Sequence, residues 1–155
     1  MSEEAIGALC RDIRRYQRVA AFGMLRSESV ALNFQGSMVS QGKYVFTTLT
    51  YKQQIDYIEQ ATEKDLILIF SNEGVYFEYQ YGDTLPPQLK APKIYLITSS
   101  EQKTFSPCID GVIRFQSDHW HCRHPYQMQF VADLIAAEYA RLAGGKDSLP
   151  TSGKK

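Results

Sequence analysis

Four polar stretches hold the side chains that could do chemistry. Ser71-Asn72-Glu73-Gly74 ends an apolar run, Arg26-Ser27 follows Gly23 closely, and Thr98-Ser99 ends a second apolar run. The fourth, Asp118-His119-Trp120-His121-Cys122-Arg123-His124, holds all 3 histidines and one of the 3 cysteines. Hydroxyls, a carboxamide and the unhindered N–H groups around a glycine suit an anionic or polyhydroxyl ligand. Imidazole and thiolate can ligate zinc or another transition metal. Here the spacing matches no established finger, no Cys-x-x-Cys accompanies it, and close neighbours on one loop cannot all converge on one ion, so no metal is expected. Neither Ser27 nor Ser71 has a partnered base or the turn context of an activated nucleophile. Glu73 and His124 could move a proton, but neither sits in a catalytic motif, so no catalytic residue is assigned.

Plainer roles are open to the same residues. Ser27 could cap a helix, Ser71 a tight turn, and Gly74 could supply a positive φ. Arg26 and Glu73 read most simply as two solvated charges.

The elements that must position these residues follow from hydrophobic periodicity. Leu66 to Phe70 is apolar without alternation, which requires both faces of a strand to be covered, as in a parallel sheet between helix layers. Ligands of such sheets bind at the carboxyl ends of the strands, where Ser71 to Gly74 lies. Ser2 is a candidate N-cap with Glu3 and Glu4 in the first turn, and Ile6, Leu9, Ile13 and Tyr16 fall on one helical face. Arg18 to Phe22, closed by Gly23, reads as a strand, and Val30, Ala31, Phe34 and Met38 mark a second helix. Tyr44 to Thr47 reads as a second strand, with Ile55, Ile58 and Ala61 on a third helix. Lys93 to Thr98 and Gly111 to Phe115 are further strands, and Pro125 to Leu142 is a long last helix. Gly82, Pro86 and Pro87 forbid a long helix between Val75 and Ala91, whose structure stays open. The alternation predicts an α/β fold, a three-layer αβα sandwich on a five-stranded parallel sheet in flavodoxin-like order. One domain is expected over 1–142, with a disordered tail over 143–155.

Lys and Arg balance Asp and Glu at 17 each, so no overall field draws the chain to nucleic acid or an anionic membrane. The scattered cysteines and the lack of a long apolar segment predict a reduced, cytoplasmic protein with no membrane partner. No cofactor is expected.

Arg18-Val-Ala-Ala-Phe-Gly23 running into Ser27, Asp65-Leu-Ile-Leu-Ile-Phe-Ser-Asn-Glu-Gly74, Lys93-Ile-Tyr-Leu-Ile-Thr-Ser99 and Ala132-Asp-Leu-Ile135 together resemble the sugar isomerase (SIS) phosphosugar-binding domain. The form resembled is the C-terminal half of RpiR/MurR-type bacterial transcription regulators. The resemblance implies a ligand site at Arg26, Ser27, Ser71, Asn72, Glu73, Gly74, Thr98 and Ser99. Against the family's Gly-x-Gly-x-Ser, Gly23 and Ser27 match while Leu25 replaces the second glycine. Against Ser-x-Ser-Gly-x-Thr, Ser71 and Gly74 match while Glu73 and Tyr76 do not. A carboxylate in place of a phosphate-facing hydroxyl sets like charges together, a repulsion of about 4 kcal/mol at 4 Å and an effective dielectric of 20. An Arg26–Glu73 ion pair filling the site is therefore expected.

The resemblance implies a non-catalytic sensor of a sugar phosphate or related metabolite. In the family such a domain reaches DNA only through an upstream helix-turn-helix domain, which this chain does not supply. A phosphosugar isomerase and a degenerate SIS dimerisation module are the competing classes. A homodimer is expected, with Ile6, Leu9, Tyr139 and Leu142 as candidate interface residues.

Overall fold

The structure is a computed structural model that describes residues 2–117 and 125–144. Helix α1 (Glu3–Arg15) begins at Ser2, whose side chain accepts from the Ala5 N–H, with Glu3 and Glu4 in the first turn and Arg14 and Arg15 in the last. Side-chain capping and charges matched to the helix dipole explain why it starts and stops there. Strand β1 (Arg18–Gly23) leads into α2 (Arg26–Val39), and α3 (Tyr51–Gln60) precedes β2 (Asp65–Phe70). The open segment forms a short helix, α4 (Glu78–Tyr81), and a 3-10 turn (Pro87–Lys90), followed by β3 (Lys93–Thr98), β4 (Gly111–Arg114) and α5 (Tyr126–Gly144).

The sheet is parallel with the order β1-β2-β3-β4, so it has four strands rather than five. Tyr44 to Thr47 makes a single parallel bridge, Phe46 opposite Ala20, on the free side of β1. The Phe46 N–H donates to Val19 O and the Ala21 N–H to Phe46 O. The next acceptor along the ladder, Ala21 O, is taken at 2.5 Å by the Thr47 hydroxyl. A side chain thus replaces the backbone donor a strand would need, and pairing stops. With this bridging segment placed beside β1, the neighbour order is the one expected of a flavodoxin-like sheet.

Both faces of the sheet are covered. Leu66, Leu68 and Phe70 pack with α1, α2 and α5, while Ile67 and Ile69 pack with Ile55, Ile58, Tyr76, Phe77 and Leu89 on the other face. That division accounts for the unbroken apolar run of β2 and makes the three layers. Ile6, Leu9 and Tyr139 lie in the first of these cores and Leu142 packs against its edge. The extra apolar residues of α1 and α5 therefore serve the fold, where each helix buries its flank against the other. The 118–124 stretch and the tail beyond 144 lie outside the described residues; α5 runs through 143 and 144. Among the described residues no helix is long and apolar enough to cross a membrane, and no three metal-ligating side chains come together.

Candidate functional site

At the carboxyl ends of β1 and β2 a cavity of about 620 Å³ opens between two loops. Met24, Leu25, Arg26 and Ser27 form one wall; Phe70, Ser71, Asn72, Glu73, Val75, Tyr76 and Tyr79 form the other and the rim. The volume falls within the roughly 300–1,000 Å³ usual for small-molecule sites.

The first wall depends on a close approach. A Cβ at Gly23 would lie 2.5 Å from the Ser27 carbonyl oxygen, so only glycine lets α2 start this near the strand. Leu25 has φ 55° and ψ −122°, a conformation suited to glycine, and its side chain is 81% exposed. Leu25 stands where the resembled pattern has its second glycine, and a leucine holds this conformation at a strain of about 1–3 kcal/mol. No side chain caps α2. Ser27, which could have been the cap, is instead its second residue and is buried, facing the cavity beside the positive helix end.

In the second wall Ser71 lines the cavity and also stops a tight turn, its Oγ accepting from the Gly74 N–H at 3.2 Å. Gly74 has φ 78°, and an added Cβ would meet Phe105 at 2.8 Å. Thr98 and Ser99 do not line the cavity. Thr98 Oγ1 donates to Asn72 O at 3.0 Å, and Ser99 Oγ lies 2.7 Å from Asn72 Oδ1. These hydroxyls, buried at the end of β3, hold the Asn72 loop from behind. Gly74 likewise shapes the loop rather than the cavity surface.

Gln54 of α3 ties the two walls together. Its side chain is fully buried; Nε2 donates to Gly23 O and to Thr48 O, each at 2.9 Å, and Oε1 accepts from the Tyr76 hydroxyl at 2.7 Å. The Tyr51 hydroxyl donates to Tyr76 O at 2.5 Å. Burial pushes the Tyr76 phenol far up and the Tyr51 phenol to about 12, so both stay neutral donors. Sequence reasoning missed Gln54, although a glutamine directly before Ile55 and four residues before Ile58 on an inner helix face was the available signal.

Arg26 and Glu73 line the same cavity from opposite walls. They do not pair with each other: the ion pairs among the described residues do not include this one. Both side chains are exposed, where an ion pair contributes only about 0–1 kcal/mol against the entropy of fixing two long chains.

Two other concavities differ in kind. One of about 660 Å³ lies at the amino ends of β1 and β2. Its charges are already engaged, with Arg18 held by Asp65 at 2.9 Å and by Thr62 at 3.1 Å. The other, about 740 Å³, is a groove between α1 and α5 with mixed charges on its rim.

No family model and no curated protein matches the chain by sequence. Solved structures do match. An Escherichia coli CFT073 protein in complex with A5P superposes with a TM-score of 0.74 at 15% identity, covering 92% of this chain and 80% of that one. A candidate phosphosugar isomerase of Bacteroides fragilis, involved in capsule formation, gives 0.68 at 17% identity, with 97% and 83% covered. The sugar isomerase domain of an RpiR transcription factor from Sphaerobacter thermophilus gives 0.66 at 19% identity, with 95% and 86% covered. The chain has the SIS fold and resembles the C-terminal domain of RpiR regulators.

Proposed function

We propose that this chain is a phosphosugar-binding sensor domain of the RpiR type, non-catalytic, whose ligand seats in the cavity between the loops after β1 and β2. The observation that carries the reading is the convergence of Arg26, Ser27, Ser71 and Asn72 on one cavity at the carboxyl ends of two central strands. The positive end of α2 and these donors suit a phosphate and the hydroxyls of a sugar. Two of the structural neighbours support the ligand class and the role: one was solved with A5P, a sugar phosphate, and another is a regulator's sugar isomerase domain.

The sensor role is favoured over isomerisation by the lining itself. Among the described residues Glu73 is the only carboxylate on the cavity, and its side chain is exposed, whereas moving a proton between adjacent carbons needs a base held against them. Regulatory output would pass to a helix-turn-helix domain attached in a longer chain, in the cytoplasm. A homodimer fits the exposed Leu32 and Val39 of α2 and Tyr126 and Phe130 of α5 better than the buried residues of α1. Sedimentation at micromolar concentration should give a dimer, and a monomer there would remove this part of the proposal.

The test is a thermal-shift panel of hexose and pentose phosphates beside the free sugars. At a hundredfold excess over Kd a ligand adds about 2.7 kcal/mol, or roughly 5–10 °C at this size. Shifts by phosphorylated members alone support the site. Equal shifts by free sugars contradict phosphate recognition, and turnover of any member contradicts the sensor role.

A further inference from the structure

We infer that Glu73 makes this cavity selective for phosphorylated sugars that carry a protonated amine. The inference rests on the reading of the cavity as a phosphosugar site and names the ligand class within it. The two walls present opposite charges, Arg26 beside Ser27 on one and Glu73 beside Ser71 and Asn72 on the other, and the two charges do not neutralise each other by pairing. A phosphate carries close to two negative charges near neutral pH. Against the Glu73 wall it meets a like charge, and against the start of α2 it meets a guanidinium and the positive end of a helix dipole. The phosphate is thereby placed on the first wall, and the remainder of the sugar faces Glu73.

A carboxylate is an acceptor only, so a ligand that reaches Glu73 must offer it a donor. Among the described residues nothing donates to it. A sugar hydroxyl would serve, but an ammonium adds an opposite charge to the hydrogen bond, an ion pair worth up to about 1 kcal/mol at an exposed carboxylate. N-acetylation removes the ligand's positive charge and so removes the advantage. A phosphate at one end and an ammonium at the other match the two walls in sign and order, and this arrangement selects against the neutral hydroxyl analogue.

Calorimetric titration of glucosamine 6-phosphate, glucose 6-phosphate and N-acetylglucosamine 6-phosphate tests this on the native chain and on Glu73→Gln. The amide is nearly isosteric and the position is exposed, so the variant retains the fold. The native chain should bind glucosamine 6-phosphate about threefold to fivefold more tightly than either neutral analogue. Glu73→Gln should abolish that preference while leaving glucose 6-phosphate as tight or tighter. Raising the pH to about 9, which discharges the amine, should erode the native preference in the same way. Equal binding of the three by the native chain, or a preference that survives Glu73→Gln, overturns the inference and leaves the phosphosugar site standing. Failure of all three to bind overturns the site reading and this inference with it.

Discussion

Replacing Gln54 by leucine preserves side-chain size at a fully buried position and removes three hydrogen bonds at once. Thr48 O is only part-buried and can turn to water. Gly23 O and the Tyr76 hydroxyl cannot, since Gly23 and Tyr76 are buried. Each stranded buried group costs about 1–3 kcal/mol, and the added apolar burial returns about 1–2 kcal/mol. The net expectation is a loss of about 2–3 kcal/mol, read from urea unfolding followed by circular dichroism as a lower midpoint at unchanged slope. Tyr76→Phe strands Gln54 Oε1 in the native background, at about 1–2 kcal/mol, but in the Gln54→Leu background it removes an orphan and should cost nothing. The cycle should therefore show a coupling of about 1–2 kcal/mol. Because Gln54 sets the spacing of the two cavity walls, ligand affinity should fall in the variant even where it is fully folded. Additive effects of the two substitutions, or a Gln54→Leu chain as stable as the native one, would refute the clamp.

Three further outcomes follow from local geometry. Leu25→Gly relieves a strained, exposed position and, after the entropy glycine adds to the unfolded chain, should raise stability by about 1 kcal/mol in the same assay; a loss of that size would contradict the strain. Gly74→Ala meets both a positive φ and the Phe105 ring at 2.8 Å and should cost about 2 kcal/mol or more, with weakened ligand binding by thermal shift. Asp12 links α1 to β3 through Lys93 at 2.7 Å and Tyr95 at 2.7 Å, and pairs within α1 with Arg15 at 2.5 Å. Burial pushes its pKa up, but the hydrogen bonds from Lys93, Tyr95 and Arg15 outweigh burial and hold it below the ordinary 3.8. A depressed carboxylate stabilises the fold above its unfolded pKa and loses that contribution as pH falls through the folded one. Stability should therefore decline from about pH 4 downward, and Asp12→Asn, weaker at pH 7, should flatten that limb in urea unfolding at successive pH values.

The parts of the fold that rest on periodicity were legible in the sequence. The non-alternating Leu66 to Phe70 announced a strand covered on both faces, and Ser2 with its following glutamates marked the start of the first helix. Tyr44 to Thr47 misled because its composition suits a strand, while the pairing is ended by the Thr47 hydroxyl, a detail of geometry that composition does not encode. In the site, Ser71, directly after β2, and Ser27, four residues beyond the end of β1, were readable from order along the chain. Thr98 and Ser99 also follow a strand, yet they face Asn72 because the loop after β2 folds over them. The Arg26–Glu73 pair was expected from the joint departure of both positions from the resembled family's pattern in neighbouring loops, and it fails on exposure. Gln54 contributes through contacts 22 to 31 residues away in sequence, and no local pattern carries such contacts.

The most direct test of the central claim is an amide chemical-shift map recorded as glucose 6-phosphate is added to the 15N-labelled chain. A ligand seated between the loops after β1 and β2 should move the signals of 24–27 and 71–76 first and furthest, with weaker effects on 54 and 98–99 behind them. Shifts centred instead on Arg18, Tyr57 and Asp65 at the opposite end of the sheet, or none at millimolar ligand, would contradict it.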